Sequence, residues 1–275
     1  MKGYPMLESA YLNSLIARAK QDVKTIVLPE GEDERILKAA HLITAEKAAK
    51  VIILGDVESV KKHFAGHNWS LEDIELVDPA KSANLEKYTK LLYELRKEKG
   101  MTEEEAAKTV LNPNYFGTLM IKAGDADGMV SGANHSTADT VRPALQIIKS
   151  AKKGASVSSL LILVHNDKPY ILADCAIIID PTDKEMADTA LEAAKNAVKF
   201  GMEPKVAMLT FSTKGSGKGD QVDKVRRATE IALEALKNDP DYNGLNIKLD
   251  GELQADAALD AVVGAKKAPG SEVAG

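Results

Sequence analysis

The residues best suited to chemistry lie between Gly124 and Pro143, in the run Gly-Asp-Ala-Asp-Gly-Met-Val-Ser-Gly-Ala-Asn-His-Ser-Thr-Ala-Asp-Thr-Val-Arg-Pro. It holds four hydroxyls (Ser131, Ser136, Thr137 and Thr140), the imidazole of His135 and the guanidinium of Arg142. Ser136 stands three residues before Asp139, a capping-box spacing that predicts a helix starting near Thr137. The first N–H groups of a helix have no partner within it and carry partial positive charge, so such a start attracts anions. Hydroxyl and guanidinium donors beside it suit a phosphate group, whose oxygens accept from each. The residue types fit an ordinary strand-to-helix connection equally well, with Arg142 on the surface beside a helix-ending Pro143.

The flanking chain must position this run. A short strand, Gly128 to Val130, leads into it through a turn at Ser131 and Gly132. Upstream, an amphipathic helix over Leu7 to Ala19 precedes a strand at Thr25 to Leu28, a helix from about Asp33 to Ala49, and the apolar strand Val51 to Leu54. Strand, helix and all-apolar strand make a βαβ unit, and all-apolar strands belong in a sheet covered on both faces. The fold class that follows is α/β with mostly parallel sheets. The alternation continues with a helix at Val57 to Phe64, a strand at Ile74 to Val77, and helices at Leu85 to Lys97, Thr102 to Leu111 and Tyr115 to Lys122. The Lys/Gly/Ser-rich stretch from Lys149 to Ser158 predicts a boundary between domains 1–152 and 153–275.

In the second domain, Leu160 to Val164 and Tyr170 to Asp174 read as strands joined by a tight turn, with a further strand at Ala176 to Ile179. A helix capped by Thr182 runs to about Phe200, and the strand Val206 to Leu209 leads into Phe-Ser-Thr-Lys-Gly-Ser-Gly-Lys-Gly-Asp before a helix from Val222 to Lys237. That loop fails the P-loop pattern, because Ser212 stands where the first Gly is required and Gly219 where Ser or Thr is required. Its Ser212, Thr213 and Lys214 could still meet an anion. A short helix is expected over Asp256 to Val263. Arg35, just past the end of the first strand, lies where ligands gather in open α/β sheets, although an ion pair with Glu32 or Glu34 accounts for it as well. Arg96 sits among solvated charges and reads as a surface residue.

The segment Val-Ser-Gly-Ala-Asn-His-Ser-Thr-Ala-Asp-Thr-Val-Arg-Pro-Ala-Leu-Gln-Ile-Ile-Lys resembles the signature of the phosphate acetyltransferase (phosphotransacetylase) family. Leu-Pro-Glu-Gly-Glu-Asp-Glu-Arg, Ser-Thr-Lys-Gly-Ser, Asp-Gly-Glu-Leu-Gln and Lys-Lys-Ala-Pro-Gly-Ser are similar to the same family, so the resemblance runs from Leu28 to the last residue. It implies two α/β domains of isocitrate/isopropylmalate dehydrogenase-like architecture with the active cleft between them. It implies reversible acetyl transfer between coenzyme A and phosphate, with acetyl-CoA, coenzyme A, phosphate and acetyl phosphate as small-molecule partners. No cofactor is needed, since coenzyme A is a substrate, and a homodimer is expected. Arg142, Ser136 and Thr137 become candidate catalytic donors. Arg35, Arg96, Ser131, Gly132, Thr140, Ser212, Thr213 and Lys214 become candidate substrate contacts. His135 takes a structural or hydrogen-bonding role, because the family places its base, an aspartate, in a Ser-Arg-Gly-Cys-type segment near its C-terminus. No such segment occurs here, so the resemblance implies a truncated chain with weak or no turnover.

Composition sets outer bounds. The 36 basic and 41 acidic residues give a net charge of -5, which argues against nonspecific nucleic-acid binding. One cysteine, no signal peptide and no apolar span of membrane length read as a soluble, cytoplasmic chain. Cys175, flanked by apolar residues, is expected to be a buried structural thiol. No Cys/His spacing suits zinc, and no metal is expected. Phosphate butyryl transfer and a noncatalytic acetyl-CoA or acetyl-phosphate sensing domain are the alternatives. A dehydrogenase is disfavoured, because no G-x-G-x-x-G follows the first strand.

Overall fold

The computed structural model describes residues 9–150 and 157–275. The chain divides into two compact units, residues 1–150 and 151–275. The expected boundary at 152/153 and the start of the expected first helix at Leu7 lie outside the described residues.

In the first unit, apolar runs between polar caps make the elements. Helix Ala10–Ala19 (α1), capped by Ser9, precedes strand Lys24–Leu28 (β1). Helix Glu34–Ala45 (α2), strand Ala49–Leu54 (β2), helix Val57–His67 (α3) and strand Ile74–Val77 (β3) follow. Helices Leu85–Arg96 (α4), Glu103–Thr109 (α5) and Pro113–Ala123 (α6) lead to the two-residue strand Gly128–Met129 (β4). Helix Thr137–Pro143 (α7) completes the unit and runs on into a π-helical turn, Ala144–Ile148. The strands form one parallel sheet in the order β3-β2-β1-β4.

Side-chain alternation along these strands covers both faces of the sheet. Leu28, Val51 and Ile53 pack with Leu37 and Ala40 of α2 and Val60 and Phe64 of α3. Val27, Ile52 and Leu54 pack on the other side with Tyr88, Leu92, Ala106, Phe116 and Leu119 from α4 to α6. Each large side chain so buried contributes about 1.5–3 kcal/mol, and together they hold the carboxyl ends of β1 and β4 side by side.

The second unit has a hairpin of strands Leu160–His165 (β5) and Lys168–Ala173 (β6), antiparallel to each other. Helix Asp183–Lys199 (α8), strand Lys205–Leu209 (β7), helix Asp220–Asn238 (α9) and strand Lys248–Leu253 (β8) follow, with β7 and β8 parallel. Met208 and Leu249 pack with Ala187, Leu191, Val225 and Ala228 of α8 and α9.

Several boundaries differ from expectation for identifiable reasons. The α2 helix stops at Ala45 because Lys47 takes a left-handed turn (φ 55°) and β2 begins at Ala49. Pro143 does not end its helix, since the wider π turn continues after it. Residues 176–179 form no strand, because the Asp174 carboxylate takes the N–H groups of Ala176, Ile177 and Ile178. Cys175 is exposed rather than buried, since it follows a two-stranded ribbon and not a strand inside a covered sheet. The expected helix over Asp256 to Val263 is two, Ala255–Leu259 (α10) and Ala261–Lys267 (α11), separated by Asp260, whose extended backbone and carboxylate cap the second.

Candidate active site

Two loops leave the carboxyl ends of the neighbouring strands β1 and β4, and they meet at a carboxylate. Glu30, two residues past β1, is fully buried. Its oxygens accept the backbone N–H groups of Gly132 (3.0 Å), Ala133 (2.9 Å), Asn134 (2.7 Å) and His135 (3.0 Å). A fifth contact comes from His135 Nδ1 at 2.8 Å. Burial pushes the Glu30 carboxyl up, but the Asn134 N–H, the His135 ring and the other amides outweigh it and hold the group at about 2. Glu30 is therefore ionised, and Nδ1 of His135 carries a proton. Loop 131–135 curls into an anion nest, and the chain supplies the anion itself. Gly132 permits the curl, because its φ of 114° strains any residue with a Cβ.

Arg35 braces the same loop. Its guanidinium pairs with Asp33, rather than with Glu32 or Glu34, and donates to the Ala133 carbonyl at 2.9 Å. Asp33 also caps α2 through the Arg35 N–H, and the Arg35 side chain holds the Asp33 carboxyl at about 2. Ser131 donates to Oδ1 of the buried Asn114 on α6 at 2.7 Å. Ser136 accepts the Asp139 N–H at 3.2 Å and donates to the Asp139 carboxylate at 2.7 Å, which forms the start of α7 where the sequence predicts it. Gly132, Ser131, Ser136 and Arg35 are thus committed to internal partners.

The donors left over lie on α7. Thr137 is exposed, and its hydroxyl makes no hydrogen bond among the described residues. Thr140 Oγ1 is buried without a partner, 3.9 Å from where a Cβ on Gly132 would lie. Arg142 is exposed and makes no hydrogen bond or ion pair among the described residues. Its charge reaches Asp139, whose carboxyl is lowered first by the Ser136 hydrogen bond and further by Arg142 and His135. Arg142 and Arg96 also act on Tyr115, whose phenol burial pushes up while both cations pull it down. Arg96, the last residue of α4, is half-buried, and its Nε has no partner. It lines an open pocket of about 340 Å³ with Lys99, Gly100, Met101, Glu105, Thr109, Tyr115 and Gln146, and Tyr115 donates to Gln146 Oε1 at 2.8 Å.

In the second unit, the loop after β7 is also drawn onto a carboxylate. Ser212 is fully buried and donates to Glu252 at 2.6 Å, while the Gly215 N–H reaches the same oxygen at 2.8 Å. Arg226 of α9 pairs with both oxygens of Glu252. That pairing comes first among the causes that hold the Glu252 carboxyl at about 2. Thr213 exchanges hydrogen bonds with Gln254, and Lys214 pairs with Asp250 at 2.5 Å and donates to the Gly251 carbonyl at 2.8 Å. All three loop residues named from the sequence have partners within this unit.

Sequence reasoning missed Glu30, Asn114 and Tyr115. Glu30 stood inside a quoted motif, but nothing local marks a residue whose partners lie 102 to 105 positions away. Among the described residues no cluster of three or more His, Cys, Asp or Glu side chains could hold a metal. No described helix is long and apolar enough to cross a membrane.

A parallel sheet whose strand-end loops are locked by a buried carboxylate, followed by a helix with uncommitted hydroxyls and an arginine, defines an α/β protein equipped to handle anions. The profile of the family described as phosphate acetyl/butaryl transferase matches residues 10–275, and the chain belongs to that family. It is similar to a phosphate acetyltransferase of Thermoanaerobacterium thermosaccharolyticum, at 45% identity over 96% of this chain and 80% of that one. A phosphate acetyltransferase of Helicobacter pylori is 43% identical over 97% of this chain, which spans 50% of that relative's length. Among solved structures, a phosphotransacetylase from Streptococcus pyogenes aligns with a TM-score of 0.87 at 45% identity, over 98% of this chain and 80% of that one. A branched-chain phosphotransacylase from Enterococcus faecalis, 16% identical with a TM-score of 0.58 over 92% of this chain and 76% of that one, shares the fold.

Proposed function

We propose that the chain transfers acetyl between coenzyme A and inorganic phosphate, acetyl-CoA and phosphate giving acetyl phosphate and coenzyme A. The observation that carries this reading is identity of 45% to a phosphotransacetylase of solved structure across 98% of the chain. The site chemistry supports it. Phosphate and the tetrahedral intermediate both need fixed donors at the reacting centre, and Arg142, Thr137 and Thr140 are donors the fold leaves uncommitted. Ser136, Ser131, Gly132 and Arg35 shape the loop that presents them, and Arg96 offers a cation to the phosphates of coenzyme A. Ser212, Thr213 and Lys214 are assigned to holding the second unit's loop. Coenzyme A enters as a substrate, its thiol a weak nucleophile until ionised, and the scheme uses no cofactor. The same reading takes the protein as a cytoplasmic homodimer, on the family resemblance.

Thiol release from acetyl-CoA, with and without phosphate, tests this. The assay is run on the chain and on a form extended by the C-terminal part of the Thermoanaerobacterium relative, of which this chain covers 80%. Phosphate-dependent release is expected, falling about 10²–10³-fold in Arg142→Ala. Absence of phosphate-dependent release from both forms overturns the reading.

A further inference from the structure

The nest formed by residues 132–135 has the geometry that a substrate anion would use, yet its four N–H groups already close on Glu30. A fixed carboxylate there repels a second anion and leaves phosphate to the side-chain donors of α7. Loop closure alone does not account for the fifth contact. The His135 backbone is already bonded to Glu30, so the bond from Nδ1 to the same carboxylate fixes the ring instead. A carboxylate on Nδ1 selects one tautomer and one orientation, and leaves Nε2 as the acceptor. Nε2 of His135 makes no hydrogen bond among the described residues, and the ring is 22% exposed immediately before the helix that carries Thr137, Thr140 and Arg142.

We propose that Glu30 is a positioning residue of the reaction, one that fills the loop nest so that phosphate is held by α7 and fixes His135 as the Nδ1–H tautomer with Nε2 open. This rests on the acetyl-transfer reading above. Glu30 touches no substrate in this arrangement, because it acts through the loop amides and through His135. Its role is therefore replaceable in kind, since any small carboxylate that enters the vacated space can do the same.

The experiment combines nitrogen NMR of His135 with chemical rescue. In the chain itself, ¹⁵N spectra are expected to show His135 protonated at Nδ1, and in Glu30→Ala a mixture of tautomers. In whichever form turns over, Glu30→Ala should raise the KM for phosphate about tenfold or more, with the KM for acetyl-CoA little changed. Millimolar formate should restore the phosphate KM of Glu30→Ala by occupying the emptied nest. It should not rescue Glu30→Gln, whose amide fills the same space. A His135 protonated at Nε2 in the unmodified chain overturns the inference. So does a folded Glu30→Ala with a phosphate KM within about twofold of the parent, or one whose raised KM formate leaves unchanged. If Glu30→Ala fails to fold by circular dichroism, a phosphate KM of Glu30→Gln raised about tenfold or more supports the inference, and one within about twofold of the parent overturns it. Failure of the acetyl-transfer reading looks different: the unmodified forms then release no thiol in response to phosphate, and the reaction role of Glu30 falls with it.

Discussion

Thr140 holds a buried hydroxyl that the fold leaves without a partner, at a place where its neighbours Ser131 and Ser136 are each given one. An unsatisfied buried hydroxyl costs about 1–3 kcal/mol, and a substrate oxygen that accepts from it recovers that cost only in the complex. Stability and binding should therefore move in opposite directions on substitution. Thr140→Val, close in shape, is expected to raise the unfolding free energy by roughly 1 kcal/mol while it weakens phosphate binding severalfold. Urea unfolding and the phosphate KM measure the two halves, and a destabilised variant, or an unchanged KM, would show that Thr140 is not an uncommitted donor. The sequence displayed all four hydroxyls of this run as equals. Which of them the fold uses depends on Asn114, on Asp139 and on burial, and only Asp139 stands at a spacing that sequence can read.

Elements built from local signals were legible. Strands β1 to β3 and the helices between them follow from apolar runs, and α7 and α8 start where the Ser136 and Thr182 caps predict. The features that escaped are those set by a distant carboxylate or by the sheet's company: the nest around Glu30, the bend of residues 174–178 and the exposure of Cys175. The strand exit carrying Glu30 gives an element-scale test of how tightly that nest is placed. A Cβ on Gly31 would lie 2.6 Å from the Leu54 carbonyl oxygen and 2.8 Å from Ile53 Cγ2, so the loop after β1 lies directly against the end of β2. The Gly31 N–H donates to that same carbonyl at 3.0 Å. Backbone cannot yield as a flexible side chain does. Gly31→Ala should cost on the order of 1–3 kcal/mol and displace Glu30 from the loop amides. Faster hydrogen exchange at residues 132–135 is the expected signature. Destabilisation with unchanged protection there would mean that the β1 exit does not set the nest.

Across the whole molecule a related device recurs: Glu30 in the first unit and Asp174 in the second each draw several backbone N–H groups onto an ionised carboxylate, and Glu252 in the second draws that of Gly215. All three are held below their ordinary values. In Glu30 and Asp174 the hydrogen bonds outweigh the opposing effect of burial, and in Glu252 the Arg226 pairing leads. A folded value below the unfolded one means that the unfolded chain binds more protons in the window between them, so stability rises with pH across it. For Glu30 and Glu252 the contribution is fully present above the ordinary glutamate value of 4.5 and is lost as pH falls toward about 2. The urea midpoint should therefore be flat from neutral pH down to about 5 and drop steeply between there and about pH 3. In Glu30→Gln the midpoint should be lower at neutral pH, because a neutral amide with a single acceptor oxygen now faces four N–H donors, yet it should fall less on acidification, because one of the linked protons is gone. A variant that lost stability at neutral pH but kept the full acid slope would show that the loop amides and His135 do not hold Glu30 below its ordinary value in the folded chain.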